Sequence, residues 1–221
     1  MTALEGRTIL VTGATGVLGT SAVAAAALEG ARVVAVGRDA DILAEVQARH
    51  PDCVRDVAVT DLLDMAAVTR LASGPGSGVD AVWHLVGGWR GGTPLPEQPL
   101  ADWEALHDAL ARTTVHLARA FADRLAARPS GRFAIVSSPF ATAPTSRNAA
   151  YATAKAAAEA AVLALADHLR PTAATANIVV VPAIGPHAVP AGEVTSALVY
   201  LTSDAAAKMN GQRVRLHSRG Q

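Results

Sequence analysis

Apolar positions along this chain fall into two alternating textures. Short runs rich in Val, Ile and Leu recur as "RTILVT", "ARVVAVG", "VDAVWHLVG", "GRFAIVSS" and "TANIVVVP"; longer alanine-rich stretches with scattered polar residues lie between most of them. A short β-branched run that is apolar at nearly every position suits a strand buried on both faces. The pattern predicts strands over 7–12, 31–37, 53–57, 79–87, 131–138, 175–182 and 212–217. It predicts helices over 16–30, 40–49, 100–127, 148–169 and 191–202, and a further one starting at Asp64 as N-cap. Strands of this kind separated by helices imply an α/β fold with a parallel sheet covered on both faces. Residues 72–78 and 87–100 read as loops, and the second follows the C-terminal end of a strand, where such sheets bind ligands.

Composition narrows the function classes. The 221 residues suffice for one α/β domain, and the chain is 51% hydrophobic but only 4% aromatic, so Ala, Val and Leu build the core. Nineteen basic and 19 acidic side chains cancel, and no charged block suggests nucleic acid or a membrane surface. The lone Cys53 excludes an internal disulfide and fits a reducing compartment. The N-terminal residues lack the layout of a signal peptide, and the longest apolar stretch is broken by Glu29, Gly30 and Arg32. A cytoplasmic protein with no membrane partner is expected.

The first candidate site is a glycine turn. "ILVTGATGVLGT" places Gly13, Gly16 and Gly19 between the first strand and the first helix, the context a dinucleotide-binding turn requires. Gly13 would permit the tight turn, Gly16 would let backbone approach a pyrophosphate, and Gly19 would allow close helix packing. The helix N-terminus would offer free N–H groups to phosphates. The second strand ends "AVGRDAD", with Gly37 where selectivity for a 2′-hydroxyl needs a carboxylate, and Arg38 next. This favours NADP(H), with NAD(H) possible. The alternative has Arg38 solvated and Asp39 or Asp41 turned to the ribose. Asp61, after the third strand, is placed to accept the adenine amino group or to start a helix.

The second candidate site is Tyr151 and Lys155, one helical turn apart in "NAAYATAKAAAEAAVLALADHL", with Ser137 and Ser138 ending the strand upstream. A cation beside a phenol eases its ionisation; at ~4 Å and an effective dielectric near 20 the interaction is ~4 kcal/mol. The plainer reading is a solvated helix pair. The absence of a Gly-x-Ser-x-Gly turn argues against a serine hydrolase.

With these blocks in view, the chain resembles the short-chain dehydrogenase/reductase family over nearly its whole length, from "TGATGVLG" through "VDAVWHLVGG", "ADWEAL", "IVSS", "YATAK" and "VVVPAIG" to "ALVYLTSDAAAKMNGQRVRL". The resemblance implies one Rossmann-like domain over 1–221, with a doubly wound, seven-stranded parallel sheet and helices on both faces. It implies a nicotinamide cofactor and interconversion of a small-molecule ketone or aldehyde with an alcohol. The catalytic set maps onto Ser138, Tyr151 and Lys155. The cofactor-binding set maps onto Gly13, Thr15, Gly16, Val17, Leu18, Gly19, Arg38, Asp61, Leu62, Val86, Gly87, Tyr151, Lys155, Pro182 and Ile184. Tyr151 would give a proton to the developing alkoxide, Ser138 would hold the carbonyl oxygen, and Lys155 would bond the nicotinamide ribose.

The chain also departs from the family. The strand-four block reads His84, Leu85, Val86, Gly87 instead of Asn-Asn-Ala-Gly, and His84 is read as a core or turn residue. The relay asparagine of the long helix falls on Leu110, or on Ala111 with a one-residue slip; Thr113 and Thr114 are the candidate substitutes. The Pro-Gly after strand six is Pro182-Ala183, and the substrate lid is cut to 183–190. A non-catalytic sensor or scaffold that binds NADP(H) is therefore the alternative function.

His50, His107, His116, His168, His187 and His217 are scattered, and no metal-ligand spacing is present. Trp83 and Trp103 read as core or loop anchors, and Trp89 as a candidate pocket wall. The alanine-rich faces of 100–127 and 148–169 suit packing between subunits, so a homodimer or homotetramer is expected.

Overall fold

The computed structural model describes residues 2–185 and 187–218. Seven strands form one fully parallel sheet in the order β3-β2-β1-β4-β5-β6-β7. They are β1 (Thr8–Thr12), β2 (Arg32–Gly37), β3 (Val54–Val59), β4 (Ala81–His84), β5 (Arg132–Ser137), β6 (Thr175–Val180) and β7 (Arg213–Arg215). The strand order reverses between β1 and β4, which opens a crevice at their C-terminal ends.

Helices α1 (Val17–Leu28), α2 (Ala40–Arg49) and α7 (Ala191–Thr202) cover one face. Helices α3 (Met65–Ser73), α5 (Thr113–Ala126) and α6 (Ala149–Leu169) cover the other. Each face has its own core, because the strands are apolar on both sides: Ile9, Val11 and Trp83 face the first layer; Leu10, Val82 and Phe133 face the second.

The helix expected over 100–127 is continuous but uneven. Helix α4 (Leu100–Leu106) passes through a π-helical segment, His107–Arg112, into α5. Strands β4 and β7 are shorter than the predicted 79–87 and 212–217; the residues after His84 leave the ladder to line the crevice. Asp64 caps α3, its carboxylate accepting from Ala66 N at 2.8 Å. Cys53 is buried and free, and burial pushes its thiol up to about 11.

With the turn before it, α6 (146–169) has the length and apolar character of a bilayer-crossing helix. Ten of the residues in α6 are buried, Lys155 and Glu159 among them, as befits a helix packed on β5 and β6. Glu159 reaches Arg213 of β7 at 2.7 Å and fastens α6 to the sheet edge.

Candidate active site

The crevice at the β1–β4 switch point holds two cavities of about 620 and 510 Å³ that share Gly16, Leu85, Val86 and Gly87. Together they make an elongated trough. Gly13, Thr15, Arg38, Asp61 and Leu62 border one end; Val17, Leu18, Gly19, Tyr151, Lys155, Pro182 and Ile184 border the other. Residues drawn from six separate stretches of sequence thus meet around one space. Ser138 does not line it directly. It lies buried at the start of the 3-10 turn Pro139–Ala141.

Backbone builds the first end and the middle, where the two cavities meet at Gly16. Gly13 has φ +71°, and a Cβ there would meet the Leu85 and Val86 backbone at 3.0 Å. A Cβ on Gly19 would lie 2.0 Å from the Gly13 carbonyl oxygen, so α1 rests directly on the turn. Gly16 is the N-cap of α1, with no side-chain cap. The amides of Val17, Leu18 and Gly19 make no hydrogen bond among the described residues, and no acidic side chain occupies the first turn. Such a helix end is built for an anion.

Side chains at the tips of β2 and β3 finish this end. Arg38 is exposed and makes no ion pair or hydrogen bond among the described residues. Asp39 is committed elsewhere: its carboxylate caps α2, accepting from Asp41 N and Ile42 N at 3.0 and 3.1 Å. The alternative of Asp39 turned to a ribose would forfeit that cap. Asp61 borders the cavity, and its Oδ1 accepts from Leu63 N at 2.9 Å in the turn before α3, whose N-cap is Asp64 and not Asp61. His116, which sequence left unassigned, bonds through Nδ1 to the Leu62 carbonyl at 2.8 Å and tethers this loop to α5.

The second end is built from side chains on α6 and the loops. Lys155 is buried; its Nζ donates to the Val136 carbonyl at 2.8 Å and lies 5.7 Å from the Tyr151 ring centre. Burial pulls its ammonium down to about 8, with the Glu159 carboxylate opposing that fall. The Tyr151 phenol is pushed up from its ordinary value by burial; the Ser138 hydroxyl, hydrogen-bonded to it, pulls the other way. This corrects the expectation of a phenol tuned by the amine. In this geometry Lys155 directs one of its three donors to a backbone carbonyl, and desolvation dominates at Tyr151.

His84 is a core residue. Its Nδ1 accepts from Thr12 Oγ1 at 2.7 Å and its Nε2 donates to Thr113 Oγ1 at 3.1 Å, the tautomer fixed because the Thr113 hydroxyl donates to Ala109 O at 2.7 Å. Burial first, and the nearby Lys155 charge second, lower its pKa to about 3. Thr114 likewise gives its proton to Leu110 O. Thr113 and Thr114 therefore have no hydroxyl proton to spare for a relay. Leu110 and Ala111 are both buried, and Leu110 packs with Leu106, Ala150, Ala154 and Tyr151. His187 is exposed in a turn and lies away from the cavity lining; Pro186 of the shortened lid is outside the described residues.

Sequence reasoning did not single out Phe140 or Gln98. Phe140 borders the cavity two residues after Ser138, and the Gln98 side chain accepts from Ala150 N at 3.0 Å. Neither carries a motif; only the spatial closeness of 88–99 to the start of α6 reveals them.

A family model described as short chain dehydrogenase matches residues 7–192. No curated protein matches the chain significantly. A short-chain type dehydrogenase/reductase from Mycobacterium ulcerans superposes with TM-score 0.89 at 21% identity, covering 97% of this chain and 89% of that one. An NADPH-bound short chain oxidoreductase from Pseudomonas aeruginosa PAO1, containing an atypical catalytic center, gives TM-score 0.90 at 19% identity, covering 100% and 99%. An NAD+-bound xylitol dehydrogenase gives 0.86 at 17%, covering 97% and 99%.

Proposed function

The chain belongs to the short-chain dehydrogenase family, and on that premise we propose that it is an NADP(H)-dependent oxidoreductase interconverting a ketone or aldehyde with an alcohol. The observation that carries this reading is the convergence of Tyr151 and Lys155, with Ser138 buried beside Tyr151, on a trough that the three free backbone amides of the α1 N-terminus also border. The residues fit a dinucleotide: glycines leave room where a Cβ would collide, and the bare α1 N-terminus suits a pyrophosphate. The bound cofactor would supply or accept hydride. Arg38 would face a 2′-phosphate without competition from Asp39. Thr15, Asp61 and Leu62 would border the adenosine, and Val86, Gly87, Pro182 and Ile184 the nicotinamide half.

The chain's own residues then handle one proton. Ser138 holds the carbonyl oxygen through its hydroxyl, and Tyr151 donates its phenolic proton to the oxygen as charge develops there. Lys155, kept charged with help from Glu159, would stabilise the phenolate left behind. We read 1–221 as one domain with a shortened lid at 183–190, in a cytoplasmic protein that pairs through the alanine-rich faces of α5 and α6 as a homodimer or homotetramer.

NADPH and NADH titrations followed by a carbonyl panel test the reading. NADPH should bind more tightly, and Arg38→Leu should erase that preference. Tyr151→Phe should still bind the dinucleotide measurably and lower turnover by roughly a hundred- to ten-thousandfold. Equal turnover in the Tyr151→Phe variant would defeat the catalytic role. A second reading, a nucleotide sensor with little turnover, is favoured by the buried Leu110 behind Tyr151; NADPH binding with no turnover on any carbonyl would select it.

A further inference from the structure

The end of the trough around Tyr151 constrains what can bind there, on the reading above that a carbonyl compound does. Lys155 is the one charged side chain that lines it, and its Nζ donates to Val136 O. The cations nearest the loop wall are engaged: Arg90 pairs with Asp102 at 2.9 Å, and the Arg147 guanidinium donates to Gly92 O. A carboxylate or phosphate on the ligand would lose hydration in a cleft whose lining is otherwise uncharged among the described residues, and would have to share that one buried ammonium with Val136 O.

Aromatic side chains are scarce in this protein, with three Trp, three Phe and two Tyr, yet one of each kind lines this cleft: Trp89, Phe140 and Tyr151. Trp89 is 60% exposed, and its indole N–H has no partner among the described residues. An apolar ring left open to solvent beside a pocket suits a surface that a ligand covers.

The Trp89 wall is fixed. A Cβ on Gly91 would lie 2.9 Å from both the indole ring and the Arg147 carbonyl, so the indole rests on bare backbone. Gly92, at φ +100°, turns the chain and donates to Arg147 O at 2.8 Å. Leu95 N donates to Ser146 Oγ at 3.0 Å, and Gln98 caps Ala150 N at the first turn of α6, one residue before Tyr151. The wall is thereby hydrogen-bonded to the start of the helix that carries the acid group. Ile184, which lines the same cleft, is 38% exposed.

We propose that the substrate is an uncharged carbonyl compound with a flat, apolar ring system next to the carbonyl, bound against Trp89 and Phe140, with the loop 88–99 serving as the wall that a longer lid would otherwise form. The test uses two probes with the same ring and ketone, 2-acetylnaphthalene and 6-acetyl-2-naphthoate, which differ by one carboxylate. Each is titrated calorimetrically into protein saturated with whichever oxidised dinucleotide binds, so that no turnover occurs. The neutral ketone should bind roughly ten- to a hundredfold more tightly. Trp89→Ala should weaken it by roughly tenfold with dinucleotide affinity unchanged, and Trp89→Phe should recover most of the loss. Equal or tighter binding of the carboxylate, unaltered binding in Trp89→Ala, or binding of the dinucleotide but of neither ketone would overturn the proposal and leave the cofactor reading standing. Failure of both NADP+ and NAD+ to bind would instead remove the reading on which it rests.

Discussion

The two ends of the trough are made by opposite means. The nucleotide end and the middle are backbone: three glycines within seven residues and the bare first turn of α1. The carbonyl end is side chain: Trp89, Phe140, Tyr151 and Ile184 arrive from four segments, with Ser138 buried behind them. A backbone site tolerates no added atoms and any ligand with the right phosphates. A side-chain site tolerates exchange and reads the particular ligand. The same fold therefore keeps its cofactor chemistry fixed while its substrate chemistry varies.

The sharpest way to break this contrast is Gly19→Val. The added Cβ would overlap the Gly13 oxygen, where a contact of 2.0 Å cannot be relieved by a rotamer change. We expect loss of dinucleotide binding together with a loss of stability of about 3 kcal/mol or more, read by calorimetric titration and thermal unfolding. A variant that still bound NADPH would show that the turn is softer than the geometry implies. At the other end, Trp89→Ala should touch only the carbonyl ligand.

A smaller effect comes from the joint between the two ends. Neutral His84 bridges Thr12 of β1 and Thr113 of α5. Unfolded, it takes up a proton near 6.5; folded, not until about 3. The unfolded state thus holds more protons across that window, so stability falls as pH drops from 6.5 towards 3, with a slope that approaches ~1.4 kcal/mol per pH unit. His84→Asn should flatten urea-measured stability over that range. A slope equal to the parent's would mean that other groups govern it.

The smallest expected change is in turnover on Leu110→Asn. An amide there would face Leu106, Ala150 and Ala154, apolar neighbours that give it no partner. We expect a cost of about 1–3 kcal/mol in stability and turnover no higher than the parent's. Faster turnover would show that a missing polar relay limits the rate.

Much of the fold was legible because its signals are local. The runs that became β1, β2 and β6 are apolar at nearly every position, and Asp64 announced the start of α3 by the chemistry of an N-cap. The π-helical segment at His107–Arg112 was not legible, since no residue there breaks helical periodicity. At the site, Gly13, Gly16 and Gly19 could be read because glycine is chosen for geometry that other residues cannot adopt. Tyr151 and Lys155 could be read as a pair, but the sign of the phenol's shift could not. Whether an amine lowers it depends on where Nζ points, and Nζ points to Val136 O.

The amino-acid sequence by itself determined the alternation of strand and helix, the nucleotide turn and the one-turn spacing of the phenol and amine, because each depends on neighbours along the chain. Tertiary structure alone decided that Asp39 caps a helix, that His84 is a strut, that Thr113 and Thr114 are already engaged, and that 88–99 is pinned beside Tyr151. Those outcomes turn on competition for hydrogen bonds and buried space among residues far apart in sequence, and only the folded chain brings the competitors together.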